Sequence, residues 1–379
     1  MFIRTDFDVP LTPARGIADS SSLARTIPTI KYVLARGARA ILASHLGDPG
    51  GRHRAELSLE PVGACLAELL GQEVVLADEP VGDGARKVIT DLRPGGVALL
   101  ENLRFSPGEE ANEERFARTL AGYGDVYIND AFSICHRAHA SVAGTPRHVS
   151  QRGMGLELER EVAAFDRLLG EVERPFVVVM GGDRVSERMA ALDVLIDRAD
   201  GFFFGGTVGN TFLRARGGAL GRSLFEEDRT AWARSFLTKA NSRDIAVHLP
   251  RDLVAAAGTR SPAGHVVAAH RVPDDQAALD IGPDTAAAFA ETIAQARTVF
   301  WTGPMGVFES EPFAAGTVAI ARAIANTRGA LAVAAGRETA AAVRRTGVGE
   351  RLTHVTTAGA AALEYLQGRR LPGLVALDT

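Results

Sequence analysis

The stretch Val333-Ala334-Ala335-Gly336-Arg337-Glu338-Thr339-Ala340-Ala341 reads as a strand that ends, turns at one glycine and starts a helix. Turns of this kind usually expose backbone N–H groups to phosphate and usually carry several glycines. Here Arg337 and Glu338 stand where small residues are expected. The same strand–turn–helix pattern recurs along the chain. "RAILASHLG", "GVALLENLRF" and "DVYINDAF" are apolar runs that end in a turn, all before residue 150. "PFVVVMGG", "GFFFGGT", "DIAVHLP", "TVFWTGP", "LAVAAG" and "THVTTAG" follow it. Short apolar strands separated by roughly 15–30 residues of helical periodicity predict βαβ units and parallel sheets.

These strands are too many for one comfortable open sheet, so a division near residue 150 is expected. Residues 156–170 carry apolar positions Leu156, Leu158, Val162, Ala163, Phe165 and Leu168 at helical spacing, with no interior Gly or Pro. They predict a helix linking the halves and closed by Gly170. The expected domains are therefore 1–155 and 171–370, joined by helix 156–170.

Composition sets further bounds. The chain has 379 residues, 46% hydrophobic and 23% charged, an ordinary soluble composition. Net charge is −4, so no global basic field predicts a nucleic-acid partner. No apolar run reaches the roughly 18 residues of a membrane span, and the start has no signal-like segment. A cytoplasmic protein follows, with its only cysteines, Cys65 and Cys135, as reduced thiols. In open parallel sheets, ligands bind beyond the carboxyl ends of the strands. In the first half those ends carry His45, Asp48, Arg104 and "CHRAHAS"; in the second they carry "GGDRVSER", "GGTVGN", "TGPMGVFE", "GRET" and "TTAG". One such glycine is ordinarily a plain turn. Five such turns at successive strand ends are harder to dismiss and predict a phosphate-type site.

"RTDFDVPL", "ASHLGDP", "LLENLRF", "DVYINDAF", "HRAHAS", "GPMGVFE", "FAAGT" and "LPGLVAL" stand in the order seen in phosphoglycerate kinases, and the chain resembles that family from Arg4 to its end. The resemblance implies two Rossmann-like domains joined by a helix and closing as a hinge, with the tail 371–379 returning to the first. It also implies a monomer without a membrane or nucleic-acid partner. The N-terminal domain would hold a small-molecule carboxylate and the C-terminal one ATP/ADP with Mg2+. Phosphoryl transfer would form an acyl phosphate, with catalysis mostly positioning and cationic stabilisation. Arg4, Asp6, Asp8, His45, Arg104 and Arg137 stand at the family's substrate contacts. Gly182, Gly205, Gly206, Pro304, Gly306, Val307, Glu309, Gly336, Arg337, Glu338 and Thr339 stand at its nucleotide contacts. Glu338 takes the magnesium-side position, and Arg184, Arg188 and Gly359 would be catalytic.

The resemblance has departures. Asp8 replaces an asparagine, and Ser22 and Asp48 replace arginines. Together these shift the acceptor side by about four charge units towards negative, each worth roughly 1–4 kcal/mol at about 4 Å. Arg25, Arg52 and Arg54 lie nearby in sequence, either as surface arginines or as replacements. Arg184 and Arg188 replace lysines, Arg337 replaces a glycine, and Ala358 and Ala360 flank Gly359. Arg337 either faces outward or fills the phosphate site with its own cation. Three functions fit: phosphorylation of 3-phosphoglycerate, the same chemistry on a less anionic carboxylate in biosynthesis, or a non-catalytic paralogue that binds nucleotide or a partner.

Overall fold

The computed structural model describes residues 1–378. The chain divides into two compact units, Met1–Ala163 with the last residues from Arg369, and Ala164–Gly368. The division falls inside a helix, Leu156–Leu169. Gly170 follows that helix and donates its N–H to Asp166 O (2.8 Å), but its φ is not left-handed, so it stops the helix without the expected glycine cap.

The first unit is built on a six-stranded sheet of β1 (Phe2–Thr5), β2 (Ala40–Ala43), β3 (Val74–Leu76), β4 (Val97–Leu99), β5 (Val126–Asp130) and β6 (Gln151–Met154). Their order is β3-β4-β2-β1-β5-β6, and every neighbouring pair is parallel. The central strands β1, β2 and β4 are wholly buried, as a sheet covered by helices on both faces requires. One face packs Ile3, Leu42 and Leu99 against Leu23, Ile27 and Ile30 of helix Ser21–Leu34. The other packs Phe2 and Tyr127 against Phe116 and Leu120. Three of these strands escape an apolar-run reading. β1 is four residues long and contains Arg4. β3 is short and only part-buried, and β6, "QRGM", is a polar edge strand with no buried residue.

The second unit contains β7 (Phe176–Met180), β8 (Gly201–Phe204), β9 (Ala219–Leu220), β10 (Ala246–His248), β11 (Asp252–Ala256), β12 (His265–Ala268), β13 (Arg271–Val272), β14 (Ala277–Ile281), β15 (Thr298–Thr302), β16 (Leu331–Ala335) and β17 (His354–Thr356). Its main sheet runs β10-β8-β7-β15-β16-β17, again all parallel. β7, β8, β15 and β16 are buried at every residue, which their near-continuous apolar sequences anticipate. Phe202 and Phe204 form an aromatic cluster with Phe212 and Phe236 of the helices packed on that face. An antiparallel sheet, β12-β11-β14, adds to this frame. Its strands are short and alanine-rich or exposed, and so gave no strong strand signal.

Candidate functional site

In the first unit the carboxyl ends of β1, β2, β4 and β5 carry the residues singled out in the sequence. Arg4 is completely buried. Its Nε donates to Ser141 Oγ (2.8 Å), one terminal nitrogen donates to Thr5 O, and the other meets His45 Nδ1 (3.2 Å). His45 Nε2 lies 3.8 Å from Asp8 Oδ2, and Asp8 Oδ1 accepts the Gly47 N–H (2.9 Å). Arg104 donates to Gly47 O (2.9 Å) and its Nε stands 3.4 Å from Glu110 Oε1. Asp6 accepts from the Ser133 hydroxyl. Arg137 is exposed.

These cations share one electrostatic neighbourhood. Burial pushes His139 down to about 4, and Arg104, Arg4, Arg137 and His136 press in the same direction. The half-buried His139 imidazole thus lies in the field of three arginines. Of the arginines that might replace the two missing ones, Arg25 pairs with Glu157 (3.0 Å) on the first turn of helix Leu156–Leu169. Arg52 and Arg54 are exposed, as is Asp48.

Asn102 was not anticipated, yet it organises this edge. Its amide donates to Leu46 O (2.8 Å) and Leu57 O (2.9 Å), and its carbonyl accepts the Arg104 N–H (3.1 Å). It thereby ties the loops after β2 and β4 together and aims Arg104. Nothing in "LLENLRF" distinguishes such an asparagine from a turn residue.

The second unit contains two cavities at strand ends. The first, about 250 Å³, is bounded by Gly182, Gly206, Pro304, Gly306 and Val307, by apolar Leu224 and Leu253, and by Glu309 and Glu338. The second, about 400 Å³, is bounded by Arg188, Thr302, Gly336, Arg337, Glu338, Thr339 and Gly359. Glu338 lines both. Arg184 lines neither and is exposed in an ion pair with Glu187 (2.9 Å). Gly205 also lies behind the cavities, where a Cβ would come within 2.7 Å of Met305 Sδ.

The backbone is shaped for close approach. Gly336 has φ +106, and the helix Arg337–Thr346 starts immediately after it. The Thr339 hydroxyl accepts the Gly303 N–H (2.7 Å), locking the end of β15 to that helix start. A Cβ on Gly306 would lie 2.4 Å from Asp280 Oδ1, so only glycine fits there. Arg188 is nearly enclosed, and its Nε has no hydrogen-bond partner among the described residues. Burial pulls its pKa down while Glu187, Glu338 and Asp183 oppose that. The Glu338 carboxyl is pushed up by burial first, then by Asp183 and Glu309. Arg337 is exposed on the wall of the second cavity.

Asp280 is the residue the sequence reading missed at this site. It ends the apolar run "AALD" before a Gly-Pro helix start, so the strand-end rule could have found it had β14 been recognised. It lines the first cavity, accepts the Gly316 N–H (2.7 Å) and its own following N–H (2.9 Å), and is pushed up to about 7 by burial.

Comparison with known proteins gives the family. The family model described as phosphoglycerate kinase matches residues 1–369. The phosphoglycerate kinase of Anaeromyxobacter sp. (strain K) is 45% identical, over 100% of this chain and 96% of its own length. That of Moorella thermoacetica is also 45% identical, over 100% and 95%. The crystal structure of phosphoglycerate kinase from Pyrococcus horikoshii OT3 superposes with a TM-score of 0.89 at 30% identity, over 100% of this chain and 95% of the other. The structure from Coxiella burnetii gives 0.84 at 34%, with the same coverage. With a matching family model, relatives at this identity over the full chain, and both sheets present, this chain belongs to the phosphoglycerate kinase family of enzymes.

Proposed function

We propose that the protein transfers the γ-phosphoryl group of ATP to the carboxylate of 3-phosphoglycerate, and catalyses the reverse reaction. The observation that carries this reading is the pair of adjoining cavities in the second unit. One is lined by glycine backbone, apolar side chains and Glu309; the other contains a helix N-terminus and Arg188; they share Glu338. The first suits a nucleoside and the second its phosphates. In the forward direction a carboxylate oxygen bonds to the γ-phosphorus while the bond to the β,γ-bridging oxygen breaks and ADP departs. The Arg188 guanidinium and the N–H groups after Gly336 bear on the charge of the transferring group, the main protein contribution in such reactions.

Magnesium fits the donors present. Among the described residues no group of three His, Cys, Asp or Glu can cage a metal. Mg2+ in nucleotide enzymes characteristically takes one or two carboxylates and the rest from phosphates and water. Glu338, crowded by Asp183 and Glu309, is the carboxylate that a divalent cation would relieve. When bound, the cation neutralises phosphate charge. The acid is assigned to the arginine- and histidine-bearing strand ends of the first unit, around His45, Arg104, Arg137 and His139.

The test is hydroxamate formation with Mg-ATP, hydroxylamine and a panel of carboxylates. Product with 3-phosphoglycerate is expected. Product only with a less anionic acid would replace the substrate assignment. No product with any acid would overturn the reading in favour of a non-catalytic member.

A further inference from the structure

Glu109 is fully buried in the first unit, and the chemistry above makes no use of it. It sits on the short helix Pro107–Glu110, where its Oε2 accepts the Ser141 N–H (2.9 Å) and its Oε1 the Ser141 hydroxyl (2.5 Å). Ser141 lies in a single π turn, Ala140–Gly144, a distortion that often accompanies functional sites. Its carbonyl accepts from the hydroxyl of buried Tyr127 (2.8 Å). The Ser141 oxygen, having given its proton to Glu109, accepts from Arg4 Nε (2.8 Å). Arg4 then meets His45 Nδ1 (3.2 Å).

A guanidinium has donors and no acceptor. His45 Nδ1 facing Arg4 must therefore be the unprotonated, accepting nitrogen. The ring proton is then on Nε2, the nitrogen that faces Asp8 Oδ2 at 3.8 Å.

We propose that Glu109 is a positioning residue for the acid-binding site: through Ser141 it holds Arg4, and Arg4 fixes His45 as the tautomer that presents an Nε2–H donor. That donor faces Asp8 Oδ2 at the edge where the anionic substrate would lie, so its orientation bears on acid binding. The inference rests on the first unit being the acceptor side of the phosphotransferase. Its physical basis is the cost of a buried cation. Arg4 has no exposed surface, so its buried charge depends on acceptors at its nitrogens and on a carboxylate within reach. Burial and Glu109 act on Arg4 in opposite directions, as do burial and Arg4 on Glu109. Burial is the larger effect on both, lowering the pKa of Arg4 and raising that of Glu109, and the opposite charge of the partner offsets part of it. Each of the three nitrogens of Arg4 already has one partner, Ser141, Thr5 or His45, so the guanidinium is fixed in place before any ligand arrives.

The experiment reads the tautomer directly. Long-range 1H–15N correlation spectra of the full chain distinguish a protonated from an unprotonated ring nitrogen, with His45→Gln assigning the signal. The wild type is expected to show His45 protonated on Nε2 alone. Ser141→Ala removes the hydroxyl link and keeps the N–H to Glu109; Glu109→Gln removes the charge. In both, His45 should lose its single-tautomer signature. KM for the acid should rise about tenfold or more, the size of one charged hydrogen bond, with KM for ATP unchanged. A wild-type ring protonated on Nδ1, or variants that keep both tautomer and acid KM, would overturn the proposal. If Glu109→Gln does not fold, Ser141→Ala decides alone. If no acid is phosphorylated, the functional reading fails, while the spectra still report on Glu109.

Discussion

Replacing Asp280 by asparagine tests whether the first cavity of the second unit contains an uncompensated buried carboxylate. Asp280 is 2% exposed, and no cation contributes to its shift from 3.8 to about 7. Because the folded pKa is raised, the folded state binds more protons than the unfolded state between these values. The stabilisation is fully present below about pH 3.8 and is lost as pH rises through about 7. The whole shift, 7 − 3.8 or about 3 units, is worth on the order of 4 kcal/mol at about 1.36 kcal/mol per unit. Of this, about 2–3 kcal/mol falls between about pH 5 and pH 8. Asparagine does not titrate, so the variant should lack that part of the pH dependence. It also gives up one acceptor at Gly316 or Ile281, a neutral hydrogen bond near pH 5 where the carboxyl is protonated, costing roughly 0.5–1.5 kcal/mol. The deficit of the variant relative to wild type should therefore shrink by about 2–3 kcal/mol between about pH 5 and pH 8. Both tryptophans, Trp232 and Trp301, lie in the second unit, so denaturant unfolding followed by their fluorescence reports on that unit alone. Parallel stability profiles for the two proteins across this pH range would refute the reasoning.

Three further outcomes follow from the candidate site residues. Glu338→Ala should weaken ADP binding mainly when magnesium is present, because the carboxylate acts through the metal. In the same titrations, Arg337→Gly should weaken binding by roughly 1–3 kcal/mol if the exposed arginine supplies a cation to the second cavity, and tighter binding would show that it obstructs the cavity instead. Restoring arginine at Ser22 and Asp48 together should improve 3-phosphoglycerate affinity tenfold or more, about 1.4 kcal/mol; unchanged calorimetric affinity would remove these two positions from the account.

The two sheets were legible because a strand buried on both faces must be apolar along its length. "PFVVVMGG", "GFFFGGT" and "LAVAAG" announce themselves in that way, and the turns at their ends mark the site. β1, β3, β6 and the antiparallel β11, β12 and β14 did not. A polar edge strand such as β6 has no burial to write into its sequence, and β1 earns its central place by pairing with β2 and β5, whose residues are far away in the chain.

Composition, periodicity and ordered motifs by themselves determined the fold class, the family and the residue types at the strand ends. Those properties depend on local sequence, since burial and turn geometry act on a few consecutive residues. Tertiary structure alone decided what each site residue does. Arg4 and Arg104 are both arginines at strand ends, yet one is enclosed and bound to Ser141 and His45, while the other is tied by its own N–H to Asn102 at the edge. Arg188 is buried in a cavity and Arg184, four residues earlier, is solvated beside Glu187. Asp280 becomes a strained carboxylate only because Gly306 and Gly316 close over it. Charge, tautomer and pKa are set by neighbours that meet across the sheet, and such neighbours are tens or hundreds of residues apart in sequence.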